Sequence, residues 1–413
     1  IVIDHHLSEI NLPKVLAIIN PNRVGDNSNY KQLAAVGVTF IFLMYLRKKL
    51  RELNKFTEIK EPNLLSYLDL VALGTVCDVV ELKNYNRLFV KKGLELIHKR
   101  YHKGIAKLID NSKISSSPTS QDLGFIVGPQ INAASRIDDS SLASKLLISN
   151  DIEQIDSISR KLFLLNEKRK LIENQILEEA KEQAAKQINS NFILVFGNNW
   201  HKGVLGIIAS KISDIYYKPT IVISFSNNIG VGSARSIANV DLGKIILNAK
   251  QENILVSGGG HSMAAGLKIN YSNIEIFKIY LEKSFSLYKK SLFERVDLFD
   301  SIITVNDLNT ELINGIEQLQ PFGKGNPEPI FILKEVIIDS IKIIKNKHHL
   351  IFFENDTGQK IKGICFNSKK TILGDYLEKF VEHNFYFSCT VTIDKFTSKP
   401  LPQIIIRDIM KIN

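Results

Sequence analysis

Apolar and polar positions alternate along the chain in blocks whose period changes four times. Residues 1–149 mix short apolar runs with helical spacing. Positions 1–3 and 15–19 read as short buried strands, whereas 33–50 and 64–73 repeat apolar residues every three or four positions. That alternation predicts an α/β layer. From 152 to 187 there is neither Gly nor Pro. Ile155, Ile158, Leu162 and Leu165, then Ile172, Ile176 and Ala180, mark one face of a long amphipathic helix that would connect two domains. Residues 191–295 read as a second, smaller α/β domain, with strands at 192–196 and 220–225 and helices at 203–212, 242–249 and 274–287. Five β-rich runs follow, at 330–344, 350–353, 360–366, 385–393 and 403–409. A turn signal falls at 355–358 and a helix at 372–381, between the third and fourth runs. That is the element order of an OB-fold, with another small β-barrel as the alternative. The expected class is α/β with a C-terminal β-barrel.

Composition removes several options. Of the 413 residues, 44% are hydrophobic and 23% charged, as in folded globular proteins, so disorder is excluded as the main state. The longest apolar stretch, 36–46, falls short of the roughly 20 residues a bilayer span needs, and no basic start precedes an apolar core as in a secretory signal. Cys77, Cys365 and Cys389 lie far apart without a CxxC pair, which excludes a disulfide framework and a cysteine-rich zinc site and suits a reducing, cytoplasmic setting. The first residue is Ile rather than Met and stands inside an apolar run, so an upstream segment is expected.

Charge adds a partner class. The net charge is +10, from 53 Lys and Arg against 43 Asp and Glu. Residues 1–150 hold 20 against 14, 151–300 hold 19 against 16, and 301–413 hold 14 against 13, so the excess lies toward the N-terminal end. A polyanion such as nucleic acid would complement it; a lysine-rich composition without a partner is the alternative.

Several constellations could carry chemistry. In Asp4-His5-His6 an apolar run leads straight into a carboxylate and two imidazoles, at the carboxyl end of an expected strand where α/β proteins bind ligands. That set suits Mn²⁺, Zn²⁺ or Fe²⁺; an Asp cap with two incidental histidines is the alternative. In Gly74-Thr75-Val76-Cys77-Asp78 one carboxylate stands in an apolar run and would need a partner or a metal, with Gly74 and Thr75 expected to form a turn; an N-cap Asp is the alternative. Asn132-Ala133-Ala134-Ser135-Arg136, preceded by Gly128-Pro129, joins small residues to a cation that can grip phosphate, or serves only as a helix-packing surface. In the second α/β domain, His201-Lys202-Gly203 leads into a helix N-terminus, and Arg235-Ser236 sits among small residues. Gly258-Gly259-Gly260-His261 is expected to expose consecutive N–H groups as an anion-binding nest; a ligand-free glycine turn is the alternative. The run from Pro321 to Pro329 reads as a rigid turn without chemistry.

These signatures, in this order and spread over nearly the whole chain, resemble the RecJ family of single-stranded-DNA-specific exonucleases in the DHH phosphoesterase superfamily. The resemblance implies the C-terminal part of a DHH domain at 1–150, a connecting helix at 151–190, a DHHA1 domain at 191–295, a linker at 296–327 and an OB-fold at 328–413. It implies 5′→3′ degradation of single-stranded DNA with Mn²⁺ or Mg²⁺ in repair and recombination. His5 and Asp78 would be metal ligands, Asp4 would support them, and His6 would contact the scissile phosphate. Arg136, Lys202, Arg235, Ser236 and Gly258 to His261 would bind the DNA backbone. A monomer working with single-strand-binding protein or a helicase, away from membranes, is implied as well. The family's Asp-x-Asp motifs precede the DHH triplet and would fall before Ile1. His5 and Asp78 alone cannot hold the two ions that two-metal hydrolysis uses. Gln130 and Ser135 stand where the family often has Arg and Gly. The rival readings are a single-strand-binding remnant without catalysis and a DHH phosphodiesterase of short oligonucleotides; the C-terminal β-domain argues against the latter.

Overall fold

The computed structural model describes all residues except 9, 115–116, 335, 355–356, 359, 370, 380–384, 395–400 and 412–413, with the side chains of 372, 410 and 411 also left out. The turn expected at 355–358 and the end of the helix expected at 372–381 lie partly outside the described residues. The chain divides into two compact units, one of Ile1–Tyr101, Ser115–Phe125 and Asp297–Asn413, the other of His102–Ile114 and Ile126–Val296.

In the first unit, β1 (Val2–Ile3) pairs in parallel with β2 (Ile18–Ile19). The expected burial of this strand does not hold: Ile1 is 66% and Val2 36% exposed, because a ladder of two residues by two strands covers neither face. The strand expected from 15 likewise shrinks to its last two residues, with Val15 and Leu16 exposed. Three helices follow: α1 (Ala35–Glu52), α2 (Leu68–Cys77) and α3 (Asn84–His98). Val38, Phe40, Leu64, Leu68, Val71 and Phe89 form their shared core.

Two glycines set the approach of these helices. A Cβ on Gly93 of α3 would lie 2.2 Å from the Leu68 carbonyl oxygen, and one on Gly74 of α2 would lie 2.8 Å from Val36 Cγ1. Gly74 and the fully buried Thr75 therefore belong to the helix interior, not to the expected turn. The turn comes after them. Asp78 is the C-cap of α2, not an N-cap, and Val79 follows with φ +56°, a left-handed value costly for a β-branched residue. Buried Asn86 braces this reversal by donating to the Glu81 and Gln32 carbonyls at 2.9 and 2.7 Å.

Residues 296–327, expected as a linker, carry structure of their own. After α4 (Lys103–Asn111) of the second unit and the short α5 (Ser120–Asp122) of the first, and beyond the second unit's remaining elements, the chain returns to the first unit. There it forms a strand (Ser301–Ile303) and a helix (Thr310–Gln318), whose Ile303, Val305, Leu308, Ile313 and Ile316 join the C-terminal core. The 321–329 segment, read as a bare turn, clasps the turn after α2. The Lys324 carbonyl accepts from Leu82 N–H at 2.7 Å, Ser120 Oγ donates to the Phe322 carbonyl at 2.6 Å, and Arg87 donates to the Leu319 carbonyl at 2.7 Å.

The second unit begins with α4, then α6 (Gly128–Ile137), α7 (Ser141–Ile148) and the 34-residue α8 (Ile152–Ala185), capped by the Asp151 carboxylate accepting from the Glu153 and Gln154 N–H groups. Ile155, Ile158, Leu162, Ile176 and Ala180 are buried along one stripe of α8, as the spacing predicts, whereas Leu165 and Ile172 of the same set are half-buried. A five-stranded sheet follows in the order β3-β4-β5-β7-β6, with β3 (Ile193–Asn198), β4 (Thr220–Ser226), β5 (Ile229–Arg235), β6 (Ser257–His261) and β7 (Ala264–Asn270). Strand alternation divides its side chains between two cores. Ile193, Val195 and Val222 pack on α8 and α9 (Leu205–Tyr216). Leu194, Ile221 and Ile223 pack on α10 (Leu242–Gln251) and α11 (Ile274–Ser286).

The C-terminal sheet has the order β10-β11-β12-β14-β13-β9-β8, from β8 (Ser301–Ile303), β9 (Phe331–Leu333), β10 (Ile337–Ile344), β11 (His348–Glu354), β12 (Lys360–Cys365), β13 (Phe385–Asp394) and β14 (Leu401–Lys411). The helix Thr310–Gln318 is α12, and α13 (Ile372–Glu378) lies between β12 and β13, as expected for an OB-fold. The first expected run, 330–344, is broken: its start pairs with β13 and its end with β11. Among the described residues no ladder closes the sheet into the barrel that was expected; chain continuity from β9 to β10 links its two sides instead.

Gly93→Ala is expected to push α3 off α2 and destabilise the first unit by about 1–3 kcal/mol. Urea unfolding of the variant measures this; an unchanged midpoint would contradict the close crossing.

Candidate metal centre and anion-binding surface

The end of β1 places Asp4, His5 and His6 so that one ligand atom from each lies within 4.8 Å of the others. Asp4 Oδ1 accepts from the backbone N–H groups of His5 at 2.7 Å and His6 at 3.3 Å, and pairs with His6 Nδ1 at 2.8 Å. Burial raises the Asp4 carboxyl, but the bonds from the His6 ring and the two N–H groups outweigh it and hold the pKa below its ordinary value. Asp4 and His6 thus largely satisfy each other, which turns His6 Nε2 outward on a ring that is 70% exposed. Buried Asn20 and its neighbour Asn22 donate to the His6 and His5 carbonyls at 2.8 and 2.6 Å, tying the loop after β2 to this backbone.

His5, whose ring centroid lies 4.5 Å from that of His6, also meets a second carboxylate. Its Nε2 lies 3.0 Å from Asp78 Oδ2. The sequence expectation of a buried Asp78 is corrected here: its side chain is 38% exposed, because the helix ends at Cys77 and the chain reverses at Val79. A carboxylate at a helix C-terminus faces the negative end of the macrodipole, which disfavours it unless a cation is close. An imidazole nitrogen and a carboxylate oxygen that converge in this way fit a divalent ion of the Mn²⁺ type. Burial first, then the Asp78 charge, pushes the Cys77 thiol up to about 11.

The second unit gathers cations. Arg136, in the last turn of α6, donates to the Gly203 carbonyl at 2.9 Å. Burial lowers its guanidinium, and repulsion from Arg169 and Arg235 lowers it further, against attraction from Glu173. Arg235 is likewise lowered by burial. Glu173, with a side chain only 5% exposed, takes Arg169 at 3.2 Å and Lys211 at 2.6 Å. Glu173 is thus paired with Arg169 and Lys211 and attracts Arg136, while Arg235 neighbours Arg136. Arg169, Glu173 and Lys211 were not singled out in the sequence, where they are three more charged positions on long helices. Lys202 is exposed in the turn before α9, and His201 Nδ1 accepts from the Gly203 N–H at 3.1 Å.

Gly258 to His261 do not form the expected nest. They are an edge strand paired to β7, and an extended strand points alternate N–H groups in opposite directions, so consecutive ones cannot converge on one anion. Close packing explains two of the glycines: a Cβ on Gly258 would lie 2.8 Å from Ile246 Cγ2, and one on Gly260 2.3 Å from the Ala264 carbonyl oxygen. Gly259 is different, since a Cβ there meets nothing within 4 Å. It lies opposite Gly266, which lies opposite Ser233; in the next row His261 lies opposite Ala264, which lies opposite Arg235. Residues directly opposite share a face, so Arg235 and His261 rise from one side of the sheet beside a floor cleared of side chains. Arg235 also abuts the first turn of α9, where a Cβ on Gly206 would lie 3.3 Å from its Nη2. Ser236 does not join this surface: it is buried, its hydroxyl donating to the Val240 carbonyl and its N–H to the Met263 carbonyl. Gln130 and Ser135, the two departures, bond locally, Gln130 Nε2 to Ser112 Oγ and Ser135 Oγ to the Asn132 carbonyl.

Fold and sites together define a DHH-type protein with DHHA1 and OB domains. A family model described as the DHHA1 domain matches residues 189–286, and one described as the RecJ OB domain matches 299–408. The single-stranded-DNA-specific exonuclease RecJ of Haemophilus influenzae is 35% identical over 390 residues, covering 91% of this chain and 68% of that protein. RecJ of Escherichia coli is 31% identical over 430 residues, covering 100% and 73%. The crystal structure of RecJ in complex with Mn²⁺ from Thermus thermophilus shares the fold, with a TM-score of 0.81 and 23% identity over 99% of this chain and 58% of that one. The chain belongs to the RecJ family. No helix among the described residues is long and apolar enough to cross a membrane.

The rate of Cys77 alkylation is expected to climb with pH through about 11 rather than through the ordinary thiol value near 9. Mass-resolved iodoacetamide labelling against pH measures it; half-maximal reactivity near 9 would contradict the buried setting.

Proposed function

We propose that this chain is the metal-binding, DNA-holding and OB-bearing part of a 5′→3′ single-stranded-DNA exonuclease that hydrolyses phosphodiesters with Mn²⁺ or Mg²⁺ in DNA repair and recombination. The carrying observation is the 3.0 Å meeting of His5 Nε2 and Asp78 Oδ2, a strand end and a helix end 73 positions apart, in a chain whose relatives are named for this activity. On this reading residues 1–150 work as the C-terminal part of the DHH domain, 151–190 as the connecting helix, 191–295 as the DHHA1 domain, and 328–413 as the OB domain with structural support from 296–327. His5 and Asp78 hold the divalent ion, which when bound supplies Lewis-acid polarisation of the scissile phosphate. Asp4 fixes the His6 ring through Nδ1, so that Nε2 is presented to a phosphate oxygen. Arg136, Lys202, Arg235 and His261, around the floor at Gly258, Gly259 and Gly260, take the strand's phosphates by charge and bidentate hydrogen bonding. The protein acts as a cytoplasmic monomer beside a single-strand-binding protein or a helicase, whose work supplies the single strand.

The protein carrying this sequence is expected to release nucleotides from the 5′ end of a labelled single strand with Mn²⁺, and Asp78→Asn to slow this at least about 100-fold. Tight strand binding without release of nucleotides would contradict the reading in favour of a binding remnant. Turnover of dinucleotides but not of long strands would contradict it in favour of a short-oligonucleotide phosphodiesterase. Arg235→Ala is expected to weaken strand binding and reduce the slope of log affinity against log salt by about one. Fluorescence anisotropy at several salt concentrations measures this; an unchanged slope would remove Arg235 from the contact.

A further inference from the structure

A cavity of about 330 Å³ opens in the first unit beside the metal centre. Cys77 and Val79, the residues on either side of Asp78, both line it. Its walls are apolar and aromatic, from Val79, Phe125, Phe322 and Pro327; Lys324, Arg407 and Glu328 also line it, with Arg407 Nη2 3.5 Å from Glu328 Oε2.

Three features of this wall are unusual for a surface with nothing to bind. Phe125 is 83% exposed, although a solitary phenyl ring gains nothing from water. It sits in a π-helical turn, Leu123–Val127, the rare helix form found mostly at functional positions. Val79, 61% exposed, keeps a left-handed backbone that costs energy and persists because the turn is clamped at Leu82 by the Lys324 carbonyl. The back wall is rigid, with Phe322 8% exposed and held through its carbonyl by Ser120 Oγ at 2.6 Å.

We propose that this cavity receives a nucleobase of the DNA strand, from one of the first nucleotides at the 5′ end, stacked on the Phe125 ring against Phe322 and Pro327. The proposal rests on the exonuclease reading. An aromatic wall accepts any base by its π-face, which suits an enzyme that must degrade every sequence, and the Lys324 ammonium suits a phosphate that flanks the base. The base would then set where the strand stops relative to Asp78.

The test measures binding of oligodeoxynucleotides with a single abasic position scanned through the first three nucleotides, in Ca²⁺ so that turnover is suppressed, to the full protein and to Phe125→Ala and Phe125→Trp. Because the side chain is largely exposed, truncating it removes little core packing. Phe125→Ala is expected to weaken binding of the intact strand roughly tenfold, Phe125→Trp to restore it, and one abasic position to abolish the difference between Phe125 and Ala. A 2-aminopurine at that position is expected to be quenched on binding in the wild type and not in Phe125→Ala. Equal affinity of wild type and Phe125→Ala for the intact strand, or a difference that survives every abasic position, would overturn the base pocket while leaving the exonuclease reading standing. Failure of the wild type to bind single strands at all would overturn both.

Discussion

Everything at the metal centre depends on how closely α2 can be approached. Its C-terminal end carries Asp78, which meets His5, while Gly93 lets α3 touch the Leu68 carbonyl and Gly74 lets α1 press Val36 against the helix. A methyl at either glycine would occupy space that backbone or a branched side chain already fills. Placing a carboxylate at a helix C-terminus opposes the helix dipole, so the site carries a demand for positive charge that the backbone itself creates. The clasp from 321–329 and the brace at Asn86 hold the strained turn that follows, so the C-terminal portion of the chain helps to shape a site it does not supply ligands for.

The second unit works by a complementary constraint. Glu173 holds Arg169 and Lys211 and attracts Arg136, which is itself repelled by Arg169 and Arg235. Partly buried guanidiniums that repel each other are costly in the absence of an anion, and the face on which Arg235 and His261 stand is cleared by glycine rather than filled. A sugar–phosphate chain meets both requirements, since it brings negative charge and needs a floor without side chains. The OB portion, nearly neutral in net charge, suits stacking more than charge attraction.

What was legible in the sequence was the long-period information. The stripe of α8 is buried as spaced, and the strands with a helix before the fourth appear in OB order. The adjacency of Asp4, His5 and His6 also needed no tertiary knowledge, because three neighbouring residues at a strand end cannot be far apart. Glycine misleads at two places, where it suggests a turn or a ligand contact. Gly74 marks a helix crossing, and Gly258 and Gly260 mark close strand packing, both of which depend on partners distant in sequence. The clasp at 321–329 was invisible for the same reason, since its bonds run to Leu82 and Ser120, more than 200 positions away. Arg169, Glu173 and Lys211 were hidden among helical charges, where only the fold shows that the carboxylate is buried.

The central claim is that His5 and Asp78 act as one ligand pair for a divalent ion. A double-mutant cycle in Mn²⁺ affinity, read by electron paramagnetic resonance on the protein with His5→Ala, Asp78→Asn and both changes, tests it most directly. The account predicts strong non-additivity, with either single change removing most of the affinity and the double change adding little. Affinities that multiply independently, or that neither change disturbs, would contradict it.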